Sequence, residues 1–192
     1  AQRLLTNTQA LAHEMHRLYG RRAQVNYLGG HGRVLRETPL RDHQEVQLLS
    51  VSRLHASKRI DWMLRALAAL RDDATLPAWR LHVAGSGPQR AALEGLAHSL
   101  GIAERVHFLG FVSDEQLETL YRLAHVFLMP ARQGFGLPAL EALYRRCAVV
   151  LNRESGVSEI LEGTPWVLIA EAGEPAFAAA LRSMLLRVRR PG

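Results

Sequence analysis

Lysine and cysteine are almost absent from this chain. The one cysteine, Cys147, leaves no internal disulfide and no multi-cysteine zinc site. It precedes an apolar run and reads as a small buried residue. No apolar stretch approaches the ~18 residues of a membrane-crossing helix, and the N-terminus lacks the charged-then-apolar layout of a signal peptide. The expected compartment is therefore the cytoplasm, with the inner face of its membrane as an open alternative. Neither GxSxG nor GxxxxGK(S/T) occurs, which sets aside nucleophile-elbow hydrolases and P-loop enzymes. No GxGxxG follows the first strong strand, which argues against a dinucleotide-dependent oxidoreductase. The histidines lack metal-ligand spacing: His13 and His16 lie three apart with no third candidate nearby, so no metal is expected.

What is present describes an ordinary folded chain. With 192 residues, 48% hydrophobic and 22% charged, there is material for one α/β domain and a remnant of another, not for two full Rossmann-like domains. The net charge of +6 suits a phosphate ligand, an anionic membrane surface or nucleic acid, and charge alone does not choose among them. Twenty-three arginines and one lysine, Lys58, carry the positive charge. The pair Arg21 and Arg22 and the tail Arg187, Arg189 and Arg190 read as solvated surface, so no nucleic acid is expected. Peripheral membrane contact stays open, although the arginines form no amphipathic stripe.

Apolar runs alternate with helical periodicity along most of the chain. Strands are expected over 47–51, 81–84, 106–109, 126–129, 148–151 and 167–169. Each is followed by a helical pattern: 60–70, 89–100, 114–123, the run through Glu141 to Tyr144, 157–161 and 175–187. Ser113 and Gln116 form a capping box for the third of these. The pattern implies a Rossmann-like, doubly wound parallel sheet, with the loops after the strand C-termini gathered on one edge. The first 40 residues break the rhythm. Thr6 and Asn7 are possible caps for an amphipathic helix bearing Leu11, Met15 and Leu18. A short strand over 25–27 follows, and then a loop marked by Gly29, Gly30, Gly32 and Pro39. The expected division is 1–24 as the tail of a preceding domain, 25–45 as linker and incoming strand, and 46–192 as the main domain.

Ligands of open α/β sheets bind at the strand-to-helix turns, and PARQGFGLPALE, residues 130–141, is such a turn. Gly134 and Gly136 let backbone amides approach an anion, Pro138 fits the first helical position, and the helix N-terminus adds partial positive charge. Glu141, one turn into the helix, would bring a carboxylate to the same ligand, so a polyol phosphate would suit both halves. Three further loops share the edge. Arg53 and Lys58 offer two cations, or only a solvated charged turn. Gly85 and Gly87 open a helix, or only punctuate a tight turn. Gly110, Phe111 and Val112 could meet a nucleobase, or Phe111 could simply pack inside. Glu159, after Gly156, is either a site residue or a surface helix residue.

Taken in order, LLSVSRLHASKRID, LHVAGSGPQRAAL, VHFLGFVSDEQLETLY and VFLMPARQGFGLPALEAL resemble the C-terminal domain of the GT-B glycosyltransferases of family four, the group 1 transferases. The resemblance runs over about 46–186. It implies the donor-binding half of a retaining enzyme that moves a sugar from a nucleoside diphosphate to an acceptor hydroxyl. The donor would be a UDP- or GDP-sugar, with no metal or other cofactor. The acceptor, a glycan, lipid or small molecule, would be met through the N-terminal domain. Arg53 and Lys58 would neutralise the diphosphate, with the amides of Gly136 and Leu137. Gly85, Gly87, Phe111 and Val112 would border the nucleoside, and Glu141 would bind its ribose. Gln133, Gly134 and Phe135 would face the sugar, with Gln133 and Glu141 standing where the family carries its catalytic E-x7-E pair. The first acid is thus an amide here. Ser52, Arg59, Arg146 and Ser155 stand where glycine is expected, and Ala148 where proline is. These departures leave open a catalytically silent domain that binds a sugar nucleotide or a partner.

Overall fold

In the computed structural model, residues 4–27, 41 and 45–188 are described. The expected loop at Gly29, Gly30, Gly32 and Pro39, and the tail residues Arg189 and Arg190, lie outside them. The main body is a six-stranded sheet of β3 (Glu45–Val51), β4 (Ala78–Ala84), β5 (Val106–Gly110), β6 (Val126–Met129), β7 (Ala148–Asn152) and β8 (Val167–Ala170). A smaller pair precedes it, β1 (Leu5–Thr6) and β2 (Gln24–Val25), joined by helix α1 (Gln9–Tyr19). The helices between the large strands are α2 (Ile60–Ala69), α3 (Arg90–Ser99), α4 (Asp114–Leu123), α5 (Leu137–Tyr144) and α6 (Ser158–Leu161), and α7 (Glu174–Val188) closes the chain.

Every neighbouring pair in the large sheet is parallel, in the order β5-β4-β3-β6-β7-β8. The expected doubly wound sheet is therefore the observed one. Parallel strands covered on both faces read as unbroken apolar runs, and every residue of β6 and of β7 is buried. Alternation then sorts their side chains into two cores. Leu48, Val126, Leu128 and Val150 join Met63, Leu67, Phe177 and Leu181 of α2 and α7 on one face. Leu49, Phe127, Met129 and Leu151 join Tyr121, Ala139 and Ala142 of α4 and α5 on the other.

Several boundaries differ from expectation for identifiable reasons. Thr6 pairs with Val25 in the small sheet, so the cap of α1 passes to Thr8, whose hydroxyl accepts the Leu11 N–H at 3.1 Å. The strand expected over 25–27 lies one residue earlier, at Gln24–Val25. Pro138 is the second residue of α5 because Leu137 occupies the first turn position after the left-handed cap Gly136. The capping box of α4 forms on both sides, between Ser113 and Gln116. No residue of α1 is fully buried; Met15 is half-buried, while Leu18 and Tyr19 are 57% and 65% exposed, so part of the apolar stripe expected on this helix stays open among the described residues.

Arg41 ties the segment before β3 to the underside of the sheet. Its guanidinium donates to the carbonyl oxygens of Arg122 at 3.2 Å and of Arg145 and Arg146 at 2.8 Å each, at the C-terminal ends of α4 and α5. A cation suits the negative end of a helix dipole. Cys147 lies beneath it, 1% exposed, its thiol donating to the carbonyls of Tyr121 and Ala124. Burial pushes this thiol up to about 11 against the pull of Arg41 and Arg145. The folded chain should accordingly react with iodoacetamide at pH 8 at least about a hundredfold more slowly than the unfolded chain. Rapid alkylation of the native protein would show Cys147 to be exposed.

Candidate functional site

The strand order reverses between β3 and β6, since the chain runs outward through β4 and β5 and then returns to the other side of β3. A crevice opens at such a reversal beyond the strand C-termini. Its two lips are the loop after β3, which ends in a 3-10 turn over Ala56–Lys58, and the loop from Pro130 to Gly136 after β6. They are stitched together twice. The Arg132 N–H donates to the Ser57 carbonyl at 2.8 Å, and the Lys58 ammonium donates to Gln133 Oε1 at 2.5 Å.

The sole lysine of the chain thus stands at the reversal point, held by a neutral amide. Partial burial lowers the Lys58 pKa, and the nearby positive charge of Arg53 lowers it further. Arg53 itself is exposed on the same lip. An anion placed between them would relieve both penalties at once. The other end of the Gln133 amide donates to Met129 Sδ at 2.9 Å and to Ser155 Oγ at 3.4 Å. Gln133 is therefore locked in one orientation by a cation on one side and soft or hydroxyl acceptors on the other.

Gly136 begins α5 at φ 115°, and a Cβ there would lie 2.7 Å from Gln133 Nε2 and 2.8 Å from Met129 Cε. Only glycine turns the chain this tightly against the locked amide. Among the described residues no hydrogen bond takes the N–H of Gly136 or Leu137. These are the open donors at the positive end of α5. Farther along the helix, Glu141 is half-buried and accepts the Tyr121 hydroxyl on Oε2 at 3.0 Å. Burial, and then the Glu141 carboxylate, hold the Tyr121 phenol far above its usual range, so it acts there as a fixed donor.

One expected contributor needs correction. Phe135 was placed against the sugar, but its side chain is 6% exposed and belongs to the core under α5. Its carbonyl is also engaged, by the Val157 N–H at 2.8 Å and Ser155 Oγ at 3.3 Å. Gly85, expected beside the nucleoside, lies in the loop after β4 with its N–H donating to the Gly110 carbonyl at 2.7 Å. Gly85 and Gly87 are required by the packing of the loops. A Cβ on Gly85 would lie 1.9 Å from the Ser52 carbonyl, and one on Gly87 2.4 Å from that of Leu54. They let the loops after β3 and β4 lie side by side. Of the two readings of Phe111, interior packing gives way, since this ring is 88% exposed beside half-buried Val112. Gly134 is exposed on the β6 lip.

Contacts that sequence reasoning missed are long-range. Tyr121, Ser155 and the Arg132 amide carry no local signal for the partners they find. Arg59 had one: it stands where glycine is expected and adopts φ 51°, the left-handed region, as does Arg146 at φ 59°. Its guanidinium pairs with Glu154 and stacks over Trp62 at 4.3 Å from the ring centre. No cluster of three or more histidine, cysteine, aspartate or glutamate side chains able to hold a metal occurs among the described residues.

The class defined here is an α/β domain with a doubly wound parallel sheet, whose reversal point is rimmed by Lys58, Arg53 and the open amides of α5. The sequence profile described as "Glycosyl transferases group 1" matches residues 33–187, and the chain belongs to that family. It is 40% identical over 152 residues to the D-inositol 3-phosphate glycosyltransferase of Geodermatophilus obscurus, covering 74% of this chain and 34% of that protein. It is 32% identical over 152 residues to the GDP-mannose-dependent alpha-(1-6)-phosphatidylinositol monomannoside mannosyltransferase of Mycolicibacterium smegmatis, covering 74% and 39%. The fold superposes on WaaG, a glycosyltransferase involved in lipopolysaccharide biosynthesis, with a TM-score of 0.81 at 21% identity, over 97% of this chain and 55% of that one. The chain spans about a third to a half of the curated relatives it matches. The fold is that of a GT-B glycosyltransferase domain.

The left-handed backbone at Arg59 generates a direct test by thermal unfolding. Arg59→Ala keeps the strained backbone and loses the Glu154 and Trp62 contacts. Arg59→Gly loses the contacts but relieves the backbone, and should be more stable than the alanine variant by about 1 kcal/mol. The opposite order would be incompatible with a left-handed Arg59.

Proposed function

We propose that this chain is the donor-binding half of a retaining glycosyltransferase that takes its sugar from a uridine or guanosine diphosphate and delivers it to an acceptor hydroxyl. The observation that carries the reading is the junction at the strand reversal, where Lys58 of one lip meets Gln133 of the other beside the open amides of Gly136 and Leu137. Lys58 and Arg53 would take the diphosphate, and the start of α5 would add its dipole. As the glycosidic bond to the diphosphate lengthens, negative charge grows on the leaving oxygen, and cations and amides already in place stabilise it without reorganisation. Glu141, held by Tyr121, presents its other carboxylate oxygen to the ribose hydroxyls, and exposed Phe111 offers a face to the base.

Residues 1–24 would be the tail of the preceding, acceptor-binding domain, and 25–45 the linker and incoming strand, a reading supported by the exposed Leu11, Leu18 and Tyr19 of α1. The chain alone would then bind nucleotide and transfer nothing. Gln133 favours a second reading, a catalytically silent domain. Its amide can bond a sugar hydroxyl but supplies no negative charge to a developing oxocarbenium ion. Intact protein that binds a sugar nucleotide yet neither transfers nor hydrolyses it would favour that alternative.

Calorimetry with UDP and GDP tests the donor site. One of them should bind the chain, and Lys58→Ala should weaken it about 10- to 100-fold and Glu141→Ala about tenfold, the loss of hydrogen bonds to charged groups. Binding of neither nucleotide at millimolar concentration would overturn the donor reading. The pH dependence has a fixed sign. Because the Lys58 pKa is depressed, by burial first and by Arg53 second, the cation is lost as pH rises through a value below the ordinary lysine range. Affinity should fall there. Lys58→Arg should retain binding to higher pH, since a guanidinium does not titrate in that range.

A further inference from the structure

Glu159, on α6, is used by none of the donor contacts, yet its carboxylate is the partner of α1. The Gln9 N–H donates to Oε2 at 2.8 Å and the Ala10 N–H to Oε1 at 3.2 Å. The Tyr27 hydroxyl, at the other end of the N-terminal segment, donates to Oε2 at 3.2 Å. With Thr8 Oγ1 accepting from Leu11, the open amides of the first turn of α1 are served by one local hydroxyl and one carboxylate about 150 residues away along the chain. An anion is also the charge that the positive end of this helix favours.

The same contact reaches the crevice. Gly156, three residues before Glu159, lies between the start of α1 and the β6 lip. A Cβ there would fall 2.5 Å from Thr8 Cγ2 and 1.9 Å from the Gly134 carbonyl. Its N–H donates to the Gln133 carbonyl at 3.2 Å. Thr8 is 1% exposed, so this is a packed joint and not a grazing contact.

We infer that Glu159 is a positioning residue that latches residues 4–27 onto the sheet domain, so that the start of α1 rests, through Gly156, on the loop carrying Gln133 and Gly134. The part of this inference that concerns the sugar donor rests on the reading of that loop in the preceding subsection. The latch itself rests on the contacts alone. Its two ends have different tasks. Glu159 fixes the orientation of the N-terminal segment at two amides and a hydroxyl, and Gly156 transmits that position to the loop by leaving no room for a side chain. Anything that shifts α1 must shift the β6 lip or break the latch, and the linkage runs equally in the other direction.

Residue-level hydrogen exchange on the 192-residue chain tests this. Glu159→Ala should accelerate exchange at Gln9 and Ala10 about tenfold, the loss of roughly one charge-assisted hydrogen bond. It should also accelerate the Gly156 amide, while amides of β6, β7 and α7 stay unchanged. Glu159→Gln, which keeps one carbonyl acceptor, should restore part of the protection at Gln9 and Ala10. Unchanged exchange at those two amides would refute the latch. Acceleration there without any at Gly156 would refute its connection to the loop. Uniform acceleration throughout the sheet would mean that Glu159 acts only on global stability, which also refutes the latch. Titration of the wild-type chain with UDP and GDP keeps the two readings separate, because failure to bind removes the donor reading and leaves the exchange result to decide the latch.

Discussion

The reversal of strand order at β3 and β6 is the constraint on which the rest of this molecule depends. Two parallel strands that are neighbours in space but far apart in sequence leave their following loops facing one another with no helix between them. Polar groups in such a crevice must find partners across it or in solvent. Here the Arg132 amide finds Ser57 and the Gln133 amide finds Lys58, so the two lips are fixed by the same contacts that define the site. The glycines fall into place around that junction. Gly136 lets α5 begin against the Gln133 side chain, and Gly85 and Gly87 let the next loop lean on the β3 lip.

Much of this architecture is legible in the sequence because the signals are local. The apolar runs at 126–129 and 148–151 are too unbroken for half-exposed strands, and they are the two strands buried throughout. The Ser113 and Gln116 pair announces the start of α4 and caps it. What could not be read locally is the use made of each loop residue. Phe135 sits inside a motif that faces the ligand, yet its side chain packs the second core. Glu141 is legible as a carboxylate at the right height on α5. Its orientation depends on Tyr121, which lies on a different helix. Gly85 is legible as a turn glycine, whereas the Ser52 carbonyl that demands it belongs to another loop. Helix boundaries failed for a similar reason: Thr6 is a good cap until it is drawn into β1.

The arginines at 59 and 146 show how a chain can depart from an expected residue and keep the expected backbone. Both occupy left-handed positions, where a side chain costs about 1 kcal/mol or more relative to glycine. Arg59 offsets part of that cost through Glu154 and the face of Trp62. The β3 lip thus makes its left-handed turn with a charged residue at the position where glycine is expected. The composition bias toward arginine extends to these two turn positions.

That same bias has a chemical consequence. Since Lys58 carries the only ε-amine of the chain and sits half-buried at the junction of the two lips, amine-directed acylation or Schiff-base trapping can address a single side chain in the body of the protein. Its lowered pKa, set by burial and then by Arg53, enlarges the fraction present as free amine, the nucleophilic form. The crevice therefore comes with a built-in attachment point, at which a fluorophore or an affinity label would report from the junction of the two lips without any engineered residue.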